Sequence, residues 1–482
     1  MKLSELCQAL AALLLFLAIT SGAVQADEID DYLRKHMKDN KIPGLQVAVI
    51  RDSKIIKSAS YGIANLQDNI AVTDDTVFTI NSMTKEFTAV AAMQLVEQGK
   101  LDLSAKLSTY LSELPKAWQS ITVKQLLTHT AGLPRIMNRQ FKLISLDGDE
   151  AAWQQVQKLP VEFAPGSRFG YNQTNYVVLD KIMQKVSGLS VQVLITKQFE
   201  QVGMKRTQAA GFAHFESVVL QQARGYTYMF GGKLQTLLTQ MPPIIRAGVG
   251  MSANATELAR WIIALQSGQL LKQPASLKTL FTPAVLNDNK PPRGNPFALG
   301  WYVKQRPEYP VVLGTGGGRA AMALYPNKNL AIVVTTNLAG SSPQNFVDEI
   351  AGFYYPAMKA ANGFGLPPAI KALWQVLETT GYEHAEKEAK KLQKIQQLTF
   401  IEAQLNNWGY RLMGQKKIAK ALEIFRLNTQ LYPKSGNTFD SLAETYGAMG
   451  NTDKAIFYYQ KVLELLPDNK HAKAQIEKLK LK

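Results

Sequence analysis

Several things are scarce in this 482-residue chain, and each scarcity closes a door. Its single cysteine is Cys7, so no disulfide can form within the chain. Its five histidines, His36, His129, His214, His384 and His471, are scattered without ligand spacing, so no metal site is expected. No Gly-x-Ser-x-Gly elbow occurs, which argues against an α/β-hydrolase. No apolar run reaches the roughly 20 residues that a membrane span needs. The formal charge is +16, but residues 366–482 hold 18 Lys+Arg against 12 Asp+Glu, and the remaining excess is spread over the rest of the chain. No basic run interleaves with aromatics, so nucleic-acid binding is not expected and a solvated basic surface is.

What is present is a globular composition, 46% hydrophobic and 19% charged, in a chain too long for one ordinary core. The start, MKLSELCQALAALLLFLAITSGAVQA, pairs a short n-region carrying Lys2 with an apolar run from Ala9 to Ile19 and small residues before Asp27. It reads as a secretory signal peptide, residues 1–26, cleaved after Ala26. Cys7 lies inside it, so an exported, soluble mature protein, periplasmic or secreted, would contain no cysteine.

Beyond the signal, LQVAVIRDSKIIKSASYGIAN alternates and turns at Asp52-Ser53, a β-hairpin pattern. Residues 104 to about 290 are mostly helical in pattern. Strand signals return at 297–305, 310–315 and 320–337, the last turning at Pro326-Asn327, and a helical stretch follows. Strands at both ends with helices between predict an α+β domain over 27–362, an antiparallel sheet flanked by helices with a helical insertion. NGFGLPPA (362–369) is a Gly/Pro-rich break. Beyond it Ala421, Phe425, Leu431 and Pro433 recur 34 residues later as Ala455, Tyr459, Leu465 and Pro467. This period, with small, aromatic and proline positions in that order, resembles tetratricopeptide repeats, so 363–482 is expected to be an all-α repeat domain. It would comprise two clear repeats, a degenerate pair before them and a final capping helix. Such a domain either offers a surface to a protein partner or buttresses the first domain.

Chemistry gathers in FTINSMTKEFTAVAAMQLVEQGKLDL (78–103). Ser82 and Lys85 are three residues apart in a helical pattern, so hydroxyl and amine share a face. A serine hydroxyl needs a base to become a nucleophile, and a lysine whose pKa is lowered by burial can be that base. Of 22 serines only Ser82 is followed by lysine at the third position. Tyr171, Asn172 and Gln173 stand just ahead of an amphipathic helical pattern. A glycine run, GTGGG (314–318), lies between two strands, where it would let a ligand approach a strand edge.

In order and spacing these motifs resemble the serine β-lactamase-like, penicillin-recognising hydrolases, nearest the branch of class C β-lactamases, D,D-peptidases and esterases. The resemblance spans roughly residues 28–360: Ser82-x-x-Lys85, Tyr171 89 residues later, the glycine strand, and LLTHTAGLP (126–134), AGVGMSANATELARWIIAL (247–265) and LAIVVTTN (330–337). It implies Ser82 as the acyl-carrying nucleophile and Lys85 as base, alone or with Tyr171, whose phenolate a neighbouring ammonium would favour. It implies the N–H groups of Ser82 and Gly318 as oxyanion donors and Gln173 as a hydrogen-bond partner of the substrate amide. His129 falls in shared structure, not at the base position. The substrate would be a small molecule or peptide with a carbonyl and a leaving group, with no cofactor.

Two departures bear on substrate. The second motif usually reads Tyr-x-Asn and here ends in Gln173. The third usually begins with Lys or His, whereas Thr315 opens Thr315-Gly316-Gly317, so a carboxylate-binding cation is missing there; Arg319 lies nearby. Esters or amides without a carboxylate therefore fit better than β-lactams or D-Ala peptides. A weak or inactive peptide- or muropeptide-binding protein, with repeats that recruit a partner, is the alternative the same departures leave open.

Overall fold

A computed structural model describes residues 28–138, 142–212, 218–228, 232–237, 241–292, 296–306 and 308–480. The expected signal peptide and Cys7 lie outside the described residues. No helix among the described residues is long and apolar enough to cross a membrane. The chain divides into two compact units, one ending at Pro356 and the other starting at Ala357.

In the first unit helix α1 (28–39) leads into β1 (Gly44–Arg51) and β2 (Lys54–Asn65). Asp52 and Ser53 join these strands with φ of 49° and 59°, the two left-handed residues of a type I′ hairpin turn. The short β3 (Ile70–Ala71) and β4 (Phe78–Asn81) precede α2 (Thr84–Glu97). The helices α3 (Val123–Leu127), α4 (Asp149–Val156), α5 (Thr174–Ser187), α6 (Val191–Val202) and α7 (Lys205–Ala210) follow. Three short strands come next: β5 (Tyr226–Thr227), β6 (Gln235–Thr236) and β7 (Met251–Ala253). After α8 (Ala255–Gln266) and α9 (Pro274–Leu280) the chain returns to β8 (Tyr302–Lys304), β9 (Val311–Gly316), β10 (Ala320–Tyr325) and β11 (Leu330–Thr336), then α10 (Val347–Tyr354).

Seven strands form one antiparallel sheet in the order β3-β2-β1-β11-β10-β9-β8. First and last strands meet at its centre: Leu45 pairs with Thr336 and Arg51 with Leu330. Both central strands are buried on both faces, which is why LAIVVTT and LQVAVI are apolar at nearly every position. β2, nearer the edge, alternates exposed and half-buried residues. The helical insertion supplies the large core beside the sheet, with Phe87 and Trp261 rings 4.1 Å apart.

Two expectations need adjustment. FALGWYVKQ was expected as a strand, but only Tyr302–Lys304 is one. Gly300 turns left-handed (φ 84°) and Ala298 N–H bonds back to Trp301 O, which drives Trp301 into the core. Among the described residues of 104–290 the regular structure is mostly helical, as expected, but it includes the short strands β5, β6 and β7, too short to show alternation.

The second unit contains α11 (Pro368–Thr380), α12 (Ala385–Gln396), α13 (Glu402–Gly414), α14 (Ile418–Leu431), α15 (Gly436–Ala448), α16 (Thr452–Leu465) and α17 (Lys470–Lys480). The α13–α14 pair maps onto the α15–α16 pair by a shift of 34 residues at every boundary. Gly409 is small for a local reason: a Cβ there would sit 2.5 Å from the Phe425 ring. The equivalent Ala443 and Tyr459 are buried in the next pair.

Candidate active site

Ser82 lies in the turn between β4 and α2, one residue before the helix's N-cap Met83. The expectation that it occupies the first helical turn is therefore off by a step. Lys85 N–H bonds to Ser82 O at 3.0 Å, a tight turn that preserves the three-residue relation. The consequence is access: Ser82 is half-buried, while Lys85 is 1% exposed.

The Lys85 ammonium is held by two neutral acceptors. Its Nζ donates to Gly248 O at 2.7 Å and to Gln173 Oε1 at 2.9 Å. Rings of Tyr171 and Tyr176 lie 4.8 and 5.1 Å from it. No ion pair among the described residues involves Lys85. Burial therefore dominates, and it brings the Lys85 amine down to about 7, with Glu86 opposing. Glu86 is buried too, and burial pushes its carboxyl well above the usual range. Its carboxyl accepts a hydrogen bond from the Thr315 backbone, which ties α2 to β9.

Tyr171 belongs to the loop ahead of α5, where Gln173 is the N-cap residue. Burial raises the Tyr171 hydroxyl well above its ordinary value, and a hydrogen bond from Ser82 opposes this. At neutral pH the phenol stays protonated, so the phenolate that the resemblance implied is not the resting form. His129 does not reach Ser82 as a base. Its Nδ1 accepts the Asn172 N–H at 3.2 Å and faces Asn175 Nδ2 at 2.9 Å. Its ring lies 4.3 Å from that of Tyr171, which it supports from behind.

Thr315, Gly317 and Gly318 sit where β9 turns into β10. Thr315 pairs with Ala321 and Gly316 with Ala320, and Gly317 and Gly318 form the turn with φ of 54° and 62°. This turn packs directly on the nucleophile segment. A Cβ at Gly316 would lie 1.7 Å from Ile80 O, so only glycine permits the approach. Gly317 is exposed and Gly318 half-exposed, leaving the turn open to a ligand. Arg319 turns away from that opening: it is buried, and its Nη2 donates to Asn81 Oδ1 at 3.2 Å.

Ser82, Lys85, Tyr171, Gln173 and Gly248 thus converge on the mouth of α2, with the Thr315–Gly318 strand end packed against the same segment. Sequence reasoning did not single out Gly248, Glu86 or Asn81. Gly248 lies in the AGVGMS stretch that carries the resemblance, so that stretch was its one available signal.

With this geometry in hand, kinship can be stated: the chain belongs to the Beta-lactamase family, whose model matches residues 29–354. Members of this family are serine hydrolases. The chain is 27% identical over 317 residues to a Beta-lactamase of Providencia stuartii, covering 64% of this chain and 77% of that protein. It is 24% identical over 345 residues to Protein flp of Staphylococcus aureus strain MW2, covering 67% of this chain but only 65% of flp. Among solved structures, a penicillin-binding protein from Bacillus halodurans superposes with a TM-score of 0.55 at 28% identity, covering 66% of this chain and 99% of that one.

Proposed function

We propose that this protein is an exported serine hydrolase that cleaves an ester or amide through a Ser82 acyl-enzyme. The observation that carries the reading is the environment of Lys85: a buried amine, neutral acceptors only, and an affinity for protons brought down to about 7. Such an amine is substantially unprotonated at neutral pH and can take a proton. In the proposed sequence Ser82 Oγ attacks the carbonyl carbon as its proton passes to Lys85, directly or through the Tyr171 hydroxyl. The oxyanion that forms accepts hydrogen bonds from Ser82 N–H and Gly318 N–H. As the intermediate collapses, the carbon–heteroatom bond breaks and the leaving group receives the proton from Tyr171 and Lys85. Water then enters, loses a proton to the same pair and releases the acid from Ser82.

Thr315 supports a substrate without a carboxylate, because a threonine hydroxyl cannot supply the charge that a Lys or His supplies at this position in the family. Gln173 engages Lys85 here, so one amide both orients the base and borders the cleft. The second unit, with its 34-residue helical period, is proposed as a tetratricopeptide-like domain that meets a protein partner.

The deciding experiment is intact-protein mass spectrometry after exposure to a fluorophosphonate and, separately, to a penicillin, beside Ser82→Ala. A Ser82-dependent adduct with the fluorophosphonate alone is expected, and adducts with both would extend the reading to penicillin recognition. Folded protein with neither adduct would overturn it in favour of a binding protein.

A further inference from the structure

The site has no cation at its third motif, yet a cation lies directly beneath it. Arg319 is 5% exposed and Asn81, the residue before the nucleophile, 4%. Arg319 Nη2 donates to Asn81 Oδ1, which orients that amide so that its NH2 group faces the glycine turn. A Cβ at Gly317 would lie 2.5 Å from Asn81 Nδ2, and Nδ2 has no hydrogen-bond partner among the described residues. Asn81 also has a φ of 48°, a left-handed conformation that asparagine tolerates better than most residues.

The turn is fixed from its other sides by backbone. Arg319 N–H donates to Gly316 O at 2.9 Å, and Arg319 O accepts Thr336 N–H at 2.8 Å. Gly318 O accepts Ser342 N–H at 2.9 Å and Ser341 Oγ at 3.0 Å. These bonds anchor the turn to β11 and the loop after it, but none reaches the segment that carries Ser82. The Arg319 side chain adds a hydrogen bond to that segment, beside the close packing of Gly316 on Ile80 O and the Glu86–Thr315 bond. Its guanidinium is packed so closely against Gly225 that a Cβ there would lie 2.9 Å from Nη1, which leaves it facing inward and not toward substrate.

We propose that Arg319 and Asn81 form a buried clamp that positions the two oxyanion donors, on Ser82 and Gly318, relative to each other. This rests on the acyl-enzyme reading above. Arg319 is a positioning residue and touches no reacting atom. The two donors come from segments 236 residues apart in the chain, and an error of about 1 Å between them costs about 100-fold in rate. A buried guanidinium–amide bond holds that separation, and its charge adds a favourable field beneath the developing oxyanion.

The test uses the full chain, a p-nitrophenyl ester, a fluorophosphonate and phenylboronate, whose tetrahedral adduct on Ser82 presents an oxygen to the same donors. Wild type that neither turns over the ester nor labels at Ser82 overturns the hydrolase reading itself, and that result is read before any variant. With active wild type, Arg319→Met should lower kcat and the labelling rate about 100-fold. KM should stay within threefold and phenylboronate affinity should fall in parallel with kcat. Asn81→Gly keeps the left-handed backbone and should give the same pattern, even where Arg319→Met fails to fold. The double variant should be little worse than either single one, and Arg319→Lys should recover part of the loss. Singles within threefold of wild type, fully additive losses, or a change in KM confined to carboxylate-bearing esters would each overturn the clamp.

Discussion

The two units hold together in opposite ways. In the second, contacts run between helices next to or one removed from each other in sequence, one helix pair repeats the boundaries of the other after 34 residues, and Tyr410 hydrogen-bonds Glu444, its own counterpart in the next pair. In the first, the central strand pair joins residues nearly 300 positions apart, as in the Gly44–Asn337 hydrogen bond. Local stacking makes a unit that can be read by period alone, whereas long-range closure is what gathers a serine, a lysine, a tyrosine and a glycine turn into one cleft.

The sharpest way to break that contrast is at the base. Lys85→Met should cut Ser82 labelling by about 10⁴-fold with the fold intact by circular dichroism, and retained labelling would remove Lys85 from its role. Next comes the closest approach in the first unit. Gly316→Ala must displace β9 from Ile80 O, and a loss of about 3 kcal/mol, read as a lower melting temperature and lost labelling, is expected. Wild-type behaviour in that variant would mean that the strand and the nucleophile segment part freely.

The pH dependence follows from the proposed base, Lys85, whose amine burial brings down to about 7. As pH falls below that value the amine is protonated and cannot accept the serine proton. Labelling should drop roughly tenfold per pH unit below 7 and level off above 8; a rate independent of pH from 5 to 8 would contradict it. In the second unit Gly409→Ala presses on Phe425 and should cost about 1–3 kcal/mol. That loss should appear in thermal unfolding while Ser82 labelling stays unchanged, and coupled loss of both would erase the distinction between the units. The smallest effect is a gain: Thr315→His should improve turnover of carboxylate-bearing esters by up to about fivefold, measured against a neutral ester.

Legibility in the sequence followed the same divide. The hairpin at Asp52-Ser53, the apolar central strands and the 34-residue period were readable because each is a local pattern with a local cause. The Ser82–Lys85 pair was readable because one turn of backbone sets its spacing. The strand at 297–305 was over-read because an apolar run does not reveal the left-handed Gly300 that interrupts it. Asn81, Glu86 and Gly248 carried no pattern of their own, since their importance lies in what packs against them from elsewhere in the chain.

By itself, then, the order of residues determined the α+β arrangement, the 34-residue helical period and the Ser82–Lys85 spacing on which the proposed nucleophile and base rest, because periodicity and short spacings are properties of neighbours. Tertiary structure alone decided that Lys85 meets only neutral acceptors, that Tyr171 stays protonated, and that Arg319 points beneath the turn and not into the cleft. Those outcomes depend on desolvation and on distances between segments up to 238 residues apart, and such distances come into being only when the sheet closes.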